Sequence, residues 1–214
     1  MASVTATAPD RRRDPARTRR EILEVATEEF ATRGFAGARV DQIADRMRTT
    51  KRMIYYYFGS KRQLYAAVLE AAYAAIRSEE QTIDVERLDP PAALRRVAEL
   101  TFDHHEAHPY FIRLVAIENI HGAQHLAELP DVRALGSPAI ELIERILARG
   151  RESGDFTRDV DALDVHMIIS AYCVFRIANR YTFRTLFERD LLDPDRRVGY
   201  RRMVGDLVLG YVTG

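Results

Sequence analysis

Apolar residues recur along this chain at intervals of three and four, the period of one helix face, and the strict alternation of a half-buried strand is almost absent. Asp14-Pro15 reads as a helix cap and first helical residue, Ile22, Ala26 and Phe30 repeat every fourth position, and Gly34 closes the segment. A helix is therefore predicted over about 15–33. Val40, Ile43, Ala44 and Met47 predict a short second helix over about 40–47, and Thr50 can cap a third that runs from Lys51 to about Phe58, where Gly59 stops it. Ser60-Lys61-Arg62-Gln63 has the form of a capping box and opens a long helix reaching about Glu80. Farther on, Asp89-Pro90 opens a helix to about Ala107, Pro109 another to about Ile120, and Ser137-Pro138 a third ended by Gly154. A strongly apolar stretch over about 161–180 and a last helix from Asp193-Pro194 to about Val212 complete an all-α expectation.

Composition narrows the classes. The 214 residues carry 32 Lys+Arg against 32 Asp+Glu, with one cysteine and no tryptophan. A lone Cys173 excludes an internal disulfide and a cysteine-based zinc site. No apolar run approaches the roughly 18–20 residues of a membrane span, and MASVTATAPD lacks the apolar core of a signal peptide, so a cytoplasmic protein without a membrane partner is expected. The zero net charge argues against a nucleic-acid partner only until it is divided. Residues 1–70 hold 14 Lys+Arg and nine acids, leaving +5, and the remainder therefore carries −5. Six arginines, including Arg12, Arg13 and Arg17, fall between positions 11 and 20. Residues 1–14 are expected to be a disordered basic arm able to lie in a minor groove or along the backbone.

Two short helices joined by a tight turn, the second beginning Thr50-Lys51-Arg52-Met53-Ile54-Tyr55-Tyr56-Tyr57-Phe58, can present side chains to base edges in a major groove. Thr18, Arg19, Ile22 and Leu23, then Phe30 and Gly34, then Ile43 and Ala44, then Tyr55, Phe58 and Lys61 stand in an order and spacing that resemble the N-terminal domain of the TetR family of transcriptional regulators. The resemblance covers about residues 15–65. It implies a helix-turn-helix DNA-binding domain over 15–62 and a larger helical effector-binding and dimerisation domain over 63–214. Carried over position by position, Lys51 and Arg52 are base-edge readers, Met53 touches a thymine methyl, Tyr55, Tyr57, Lys61 and Arg39 hold phosphates, and Thr50 caps the reading helix. Tyr56 is taken with the DNA contacts, packing against Ile22, Phe30 and Ile43 being its alternative, whereas packing is the preferred role of Phe58. The sequence departs from the family pattern at Ala38 and Arg39, where small hydroxyl residues are usual, and at Arg48, where glycine is usual.

In the second half, polar residues on apolar helices are the natural ligand candidates. Tyr172, Arg176 and Asn179 share a stripe, Glu118 shares a face with Phe111, Leu114 and Val115, and Arg113, Asn119, His121 and His125 are near in sequence. Phe111 to Leu126 also resembles a TetR subgroup that includes the pyrimidine-utilisation regulator, which implies a small polar effector. The last two long helices are expected to form a two-fold homodimer through Met167, Ile168, Ala171, Phe175, Leu191, Met203, Leu207, Val208 and Tyr211. Such a dimer reads a palindromic double-stranded operator. His104, His105 and His108 cluster, and His121 and His125 are four apart, but His105-Glu106-Ala107-His108 is one residue short of a zinc-protease motif, so neither metal nor cofactor is expected. Phosphate-loop, dinucleotide and nucleophile-elbow signatures are absent from the sequence. The expectation is a ligand-responsive repressor and not an enzyme; its rival is a helical enzyme or scaffold whose basic N-terminus binds an acidic partner.

Overall fold

The computed structural model describes residues 14–214. The helices of the described residues are α1 (Pro15–Gly37), α2 (Val40–Arg46), α3 (Lys51–Phe58), α4 (Lys61–Glu80), α5 (Pro90–Ala107), α6 (Pro109–Ile120), α7 (Ser137–Ser153), α8 (Ala162–Ala178), α9 (Arg180–Phe187) and α10 (Pro194–Thr213), with one 3-10 turn at Val132–Leu135. No strand occurs among them, so the all-α expectation holds. Helix starts follow the capping chemistry. Asp14, Thr50, Ser60, Asp89 and Asp193 each accept a backbone N–H of their own first turn, which satisfies donors that no helical carbonyl can reach. Gly34 adopts φ 67° and breaks the regular helix where expected, leaving 35–37 as a separate turn of α1.

The helix expected over about 161–180 is α8, which ends at Ala178, and a further short helix, α9, follows it directly. Asn179 leaves helical geometry and joins α8 to α9, which no glycine or proline announces. The joint is fixed from outside: Arg180 forks onto Asp190 through Nε at 3.0 Å and Nη2 at 2.8 Å, and Asn179 O accepts the N–H of Phe183.

Two apolar cores organise the chain. Helices α1–α3 and the start of α4 bury Ile22, Ala26, Phe30, Ile43, Ile54, Phe58, Leu64, Tyr65 and Val68, and Leu114 of α6 enters the same core. Helices α5, α7, α8 and α10 enclose Val97, Phe102, Ile146, Val165, Ile169, Cys173, Val204 and Val208. Each Val, Leu, Ile or Phe side chain among them contributes about 1.5–3 kcal/mol on burial. Along the α5–α10 seam, Arg201 pairs with Glu99 and Asp103, and Arg197 with Asp103 and Glu106.

On the opposite side of α8 and α10, Leu163, Met167 and Phe175 stand exposed with Met203 and Leu207, Met167 by 61%. Two residues expected in this outer face belong inside: Val208 is fully enclosed in the second core and Leu191 is buried within the chain. Val208 follows Val204 at helical spacing and therefore shares its inward face, one residue round from Leu207.

Candidate nucleic-acid interface and ligand cavity

The turn between α2 and α3 brings an exposed polar surface together. Thr50 Oγ1 accepts the N–H of Met53 at 3.3 Å, which fixes the first turn of α3 and leaves Lys51 and Arg52 exposed. Lys51 lies 3.3 Å from Asp41 of α2, a solvent-exposed pair that a stronger anion can replace. Ile54 and Phe58 point into the core, and Tyr55 and Tyr57 are half-buried beside them. Tyr56 is 79% exposed and meets only the edge of Tyr57, so the alternative of packing against Ile22, Phe30 and Ile43 is excluded. A cleft of about 500 Å³ brings Arg17 and Thr18 of α1, Arg48 and Thr49 of the turn, and Met53 and Tyr57 of α3 to one face. Arg48 and Thr49 were not among the expected site residues. Arg48 takes φ 53°, the left-handed geometry that explains why glycine is usual there.

Arg39 is exposed and precedes α2 without any side-chain cap, but its N–H donates to Glu29 Oε1 at 3.1 Å. A buried carboxylate from α1 thus anchors the backbone at the start of α2, whose first turn has no side-chain cap. Lys61 is only half-exposed: its Nζ reaches the carbonyl of Ala36 at 3.4 Å and sits over the Phe35 ring, and burial lowers its pKa. Arg12 and Arg13, with the rest of the expected arm through residue 13, lie outside the described residues.

The eight expected effector residues do not converge. Glu118 is buried where α6 meets the reading domain: its Oε1 accepts the Tyr65 hydroxyl at 2.9 Å, and its Oε2 accepts the N–H groups of His125 at 3.2 Å and Leu126 at 3.0 Å. His125 stacks near Phe35 and Tyr65, so both residues form the joint between α1, α4 and α6 instead of a cavity wall. This environment raises the pKa of Tyr65, chiefly through burial and then through Glu118. Asn119 is exposed and donates to Val115 O, and His121 is exposed at the end of α6.

Tyr172 and Arg176 lie in a different place. Tyr172 donates to Tyr200 O at 3.0 Å, and burial pushes its pKa up to about 12. Arg176, 3% exposed, donates to Glu106 and to Leu191 O and lies 3.9 Å from the centre of the Phe102 ring. Both residues lock α8 to α5 and α10. Asn179 supplies the α8–α9 joint, and Arg113 is exposed over Tyr110, beside a cleft between α1 and α9. The failure has a common cause: a shared helix face does not mean a shared neighbour once helices cross.

Another group is gathered instead. A cavity of about 660 Å³, mainly apolar, opens between α1 (Leu23, Thr27), α4 (Ala71, Ala72, Ala75) and the α5–α6 corner (His104, His108, Tyr110, Phe111). Phe111 in its wall packs at 5.2 Å from Tyr73 and 5.5 Å from His105, ring centre to ring centre. Arg77 and His166 complete the polar group behind it. Arg77 Nε, both nitrogens of His104 and Nδ1 of His105 are buried without an aligned hydrogen-bond partner. Burial, followed by the charges of His104, Arg77, His166 and His108, lowers His105 to about 3. His166 is lowered by burial and then by Arg77. The histidines are therefore neutral donors and acceptors around one guanidinium, which Glu80 partly balances. Buried polar atoms without a protein partner call for a water, an ion or a ligand to satisfy them. Tyr73, Arg77 and His166 are not among the residues expected from the sequence. Tyr73, Arg77 and Glu80 do stand at i, i+4 and i+7 on α4, a signal of one polar stripe that also fits an ordinary exposed face.

Comparisons with known proteins agree with this division. Residues 22–68 match the family described as "Bacterial regulatory proteins, tetR family", and residues 90–208 match "Tetracyclin repressor-like, C-terminal domain". The chain is 34% identical over 193 residues to the HTH-type transcriptional repressor NicS of Pseudomonas putida, covering 90% of this chain and 91% of that protein. It is 30% identical over 128 residues to the HTH-type transcriptional regulator RutR of Escherichia coli, covering 55% and 56% respectively. Among solved structures, SCO4942 of Streptomyces coelicolor superposes with a TM-score of 0.67 at 29% identity over 89% of this chain and 97% of that one.

Proposed function

The chain belongs to the TetR family of transcriptional regulators, and from that premise we propose that it is a cytoplasmic repressor, released from a palindromic operator by a small-molecule effector. Lys51, Arg52 and Met53 read base edges; Tyr55, Tyr56, Tyr57, Arg39, Lys61, Arg17 and Arg48 engage phosphates around them. Arg12 and Arg13 extend this contact along the backbone. The face of Met167, Phe175, Met203 and Leu207 joins two copies and sets the spacing of the two reading helices.

The effector enters beside α1 and reaches the polar group of Tyr73, Arg77, His104, His105 and His166. The unpartnered nitrogens there are the observation that carries this assignment. Their chemistry fits a small, flat molecule with a carboxylate or carbonyl acceptor, held between aromatic rings. Because the cavity wall includes Leu23, Glu24, Thr27 and Glu28 of α1, a bound molecule bears directly on the helix that carries the reading domain. Ligand and operator then compete through one helix position.

The test begins with selection of bound duplexes from a random pool, followed by a screen of small acids and heterocycles for release. Exchange of Lys51 and Arg52 together for Ala is expected to weaken the selected site by about 2–6 kcal/mol, the worth of two base contacts, with the melting temperature unchanged. A double variant that keeps full affinity and sequence preference refutes the reading-helix assignment. Release that survives His105→Ala and Arg77→Ala unchanged refutes the effector assignment.

A further inference from the structure

We propose that Glu79, His104 and His108 form a binding site for a divalent transition-metal ion of the zinc class, at the mouth of the 660 Å³ cavity. One ligand atom from each of the three side chains lies within 4.8 Å of the other two, so modest side-chain rotation brings all three to one ion. His104 Nδ1 and Glu79 Oε1 are 3.1 Å apart, close to the separation of about 3.3 Å that two tetrahedral ligands have around zinc at bond lengths near 2.0–2.1 Å. Despite this approach, neither ring nitrogen of His104 makes an aligned hydrogen bond, although the residue is only 2% exposed. A buried imidazole whose Nδ1 meets its carboxylate out of line and whose Nε2 meets nothing is costly unless something else satisfies it.

The second histidine is already oriented. His108 Nδ1 lies 2.9 Å from the carbonyl of His104, and donation to that carbonyl fixes the tautomer that leaves Nε2 with a free lone pair. This is the arrangement by which metal-bound histidines are usually held. His104 and His108 are four apart at the end of α5 and their rings stack at 4.2 Å, whereas Glu79 comes from the end of α4. Within the cluster of His104, His105 and His108, the pair at i, i+4 is His104 and His108, whereas His105 and His108 are three apart. Two imidazoles and one carboxylate leave a fourth position of a tetrahedral ion open, and His104 and His108 both line the cavity, so that position faces it. Binding would tie α4 to α5 against α1. The inference rests on these three side chains and not on the effector assignment.

Full-length metal-free protein is titrated with zinc chloride by calorimetry, and with cobalt chloride by visible absorption as a report on coordination geometry. One ion per chain is expected, with a tetrahedral cobalt spectrum. His108→Ala changes an exposed residue and Glu79→Gln a half-exposed one, so both variants should fold; circular dichroism checks this. Each is expected to weaken binding more than about tenfold, since removing even an outer partner of a metal ligand costs that much. His121→Ala, elsewhere on the surface, is expected to bind as the parent does. No stoichiometric binding by the parent, equal affinity in His108→Ala and Glu79→Gln, or equal loss in His121→Ala would each overturn the assignment.

Discussion

The two ends of this molecule use charge in opposite ways. In α1–α3, Lys51, Arg52, Arg39 and Arg48 stand in solvent around a compact apolar core to which none of them belongs. In the larger domain, Arg77, His104, His105, Glu118 and Arg176 are drawn inside, where each must be satisfied by a specific neighbour or by a ligand. The contrast explains the charge balance. A net of +5 over the first 70 residues and −5 over the rest averages to zero, and the averaging conceals an anion-facing surface joined to an acidic body. It also teaches where function and stability can separate: at exposed residues such as Lys51 and Arg52, and not at groups that are buried.

The sharpest challenge to this contrast sets two arginines against each other. Arg176→Ala removes bonds to Glu106 and Leu191 O and the contact with Phe102, and is expected to destabilise the protein by about 2–3 kcal/mol, since Glu106 keeps Arg197. Calorimetry should show a fall of about 5–10 °C for a chain of this size. Arg52→Ala should stay within about 0.5 kcal/mol of the parent. Comparable losses in the two variants would end the distinction.

A smaller effect is expected at the joint between the regions. Glu118→Gln keeps the shape but turns an acceptor for two backbone N–H groups into a donor, at a cost of about 1–2 kcal/mol. Hydrogen exchange should accelerate at the amides of His125 and Leu126 while the α3 amides are unaffected. Uniform acceleration through α3 would show that the joint, and not the local core, holds the reading domain together.

The smallest effect is a gain. Arg48→Gly relieves a left-handed residue in the α2–α3 turn and is expected to stabilise the protein by about 0.5–1 kcal/mol in thermal unfolding, less whatever the freer unfolded chain takes back. A loss of stability instead would mean that the Arg48 side chain supports the turn.

Most of the fold, and the exposure of Lys51, Arg52 and Tyr56 on α3, were legible in the sequence because their signals are local. Asp14-Pro15, Thr50 and Ser60 cap helices within four residues of themselves, and the order Ile22, Ala26, Phe30 states which face of α1 is inward. Exposed side chains on a short helix keep the identity that the sequence assigns them. What only the tertiary structure decided depends on segments far apart in the chain. Tyr65 meets Glu118 across 53 positions, and Glu79 meets His104 across two helix ends. Tyr172 and Arg176 look like ligand residues on an isolated helix and become internal ties once α10 and α5 close over them. Tyr73 and Arg77 look like an ordinary polar stripe, yet Tyr73 packs on Phe111 and Arg77 pairs with Glu80 among buried histidines. The physical reason is that capping and periodicity are set within a few residues, whereas burial of a polar group is set by how helices cross, and a helix face does not specify what will cross it.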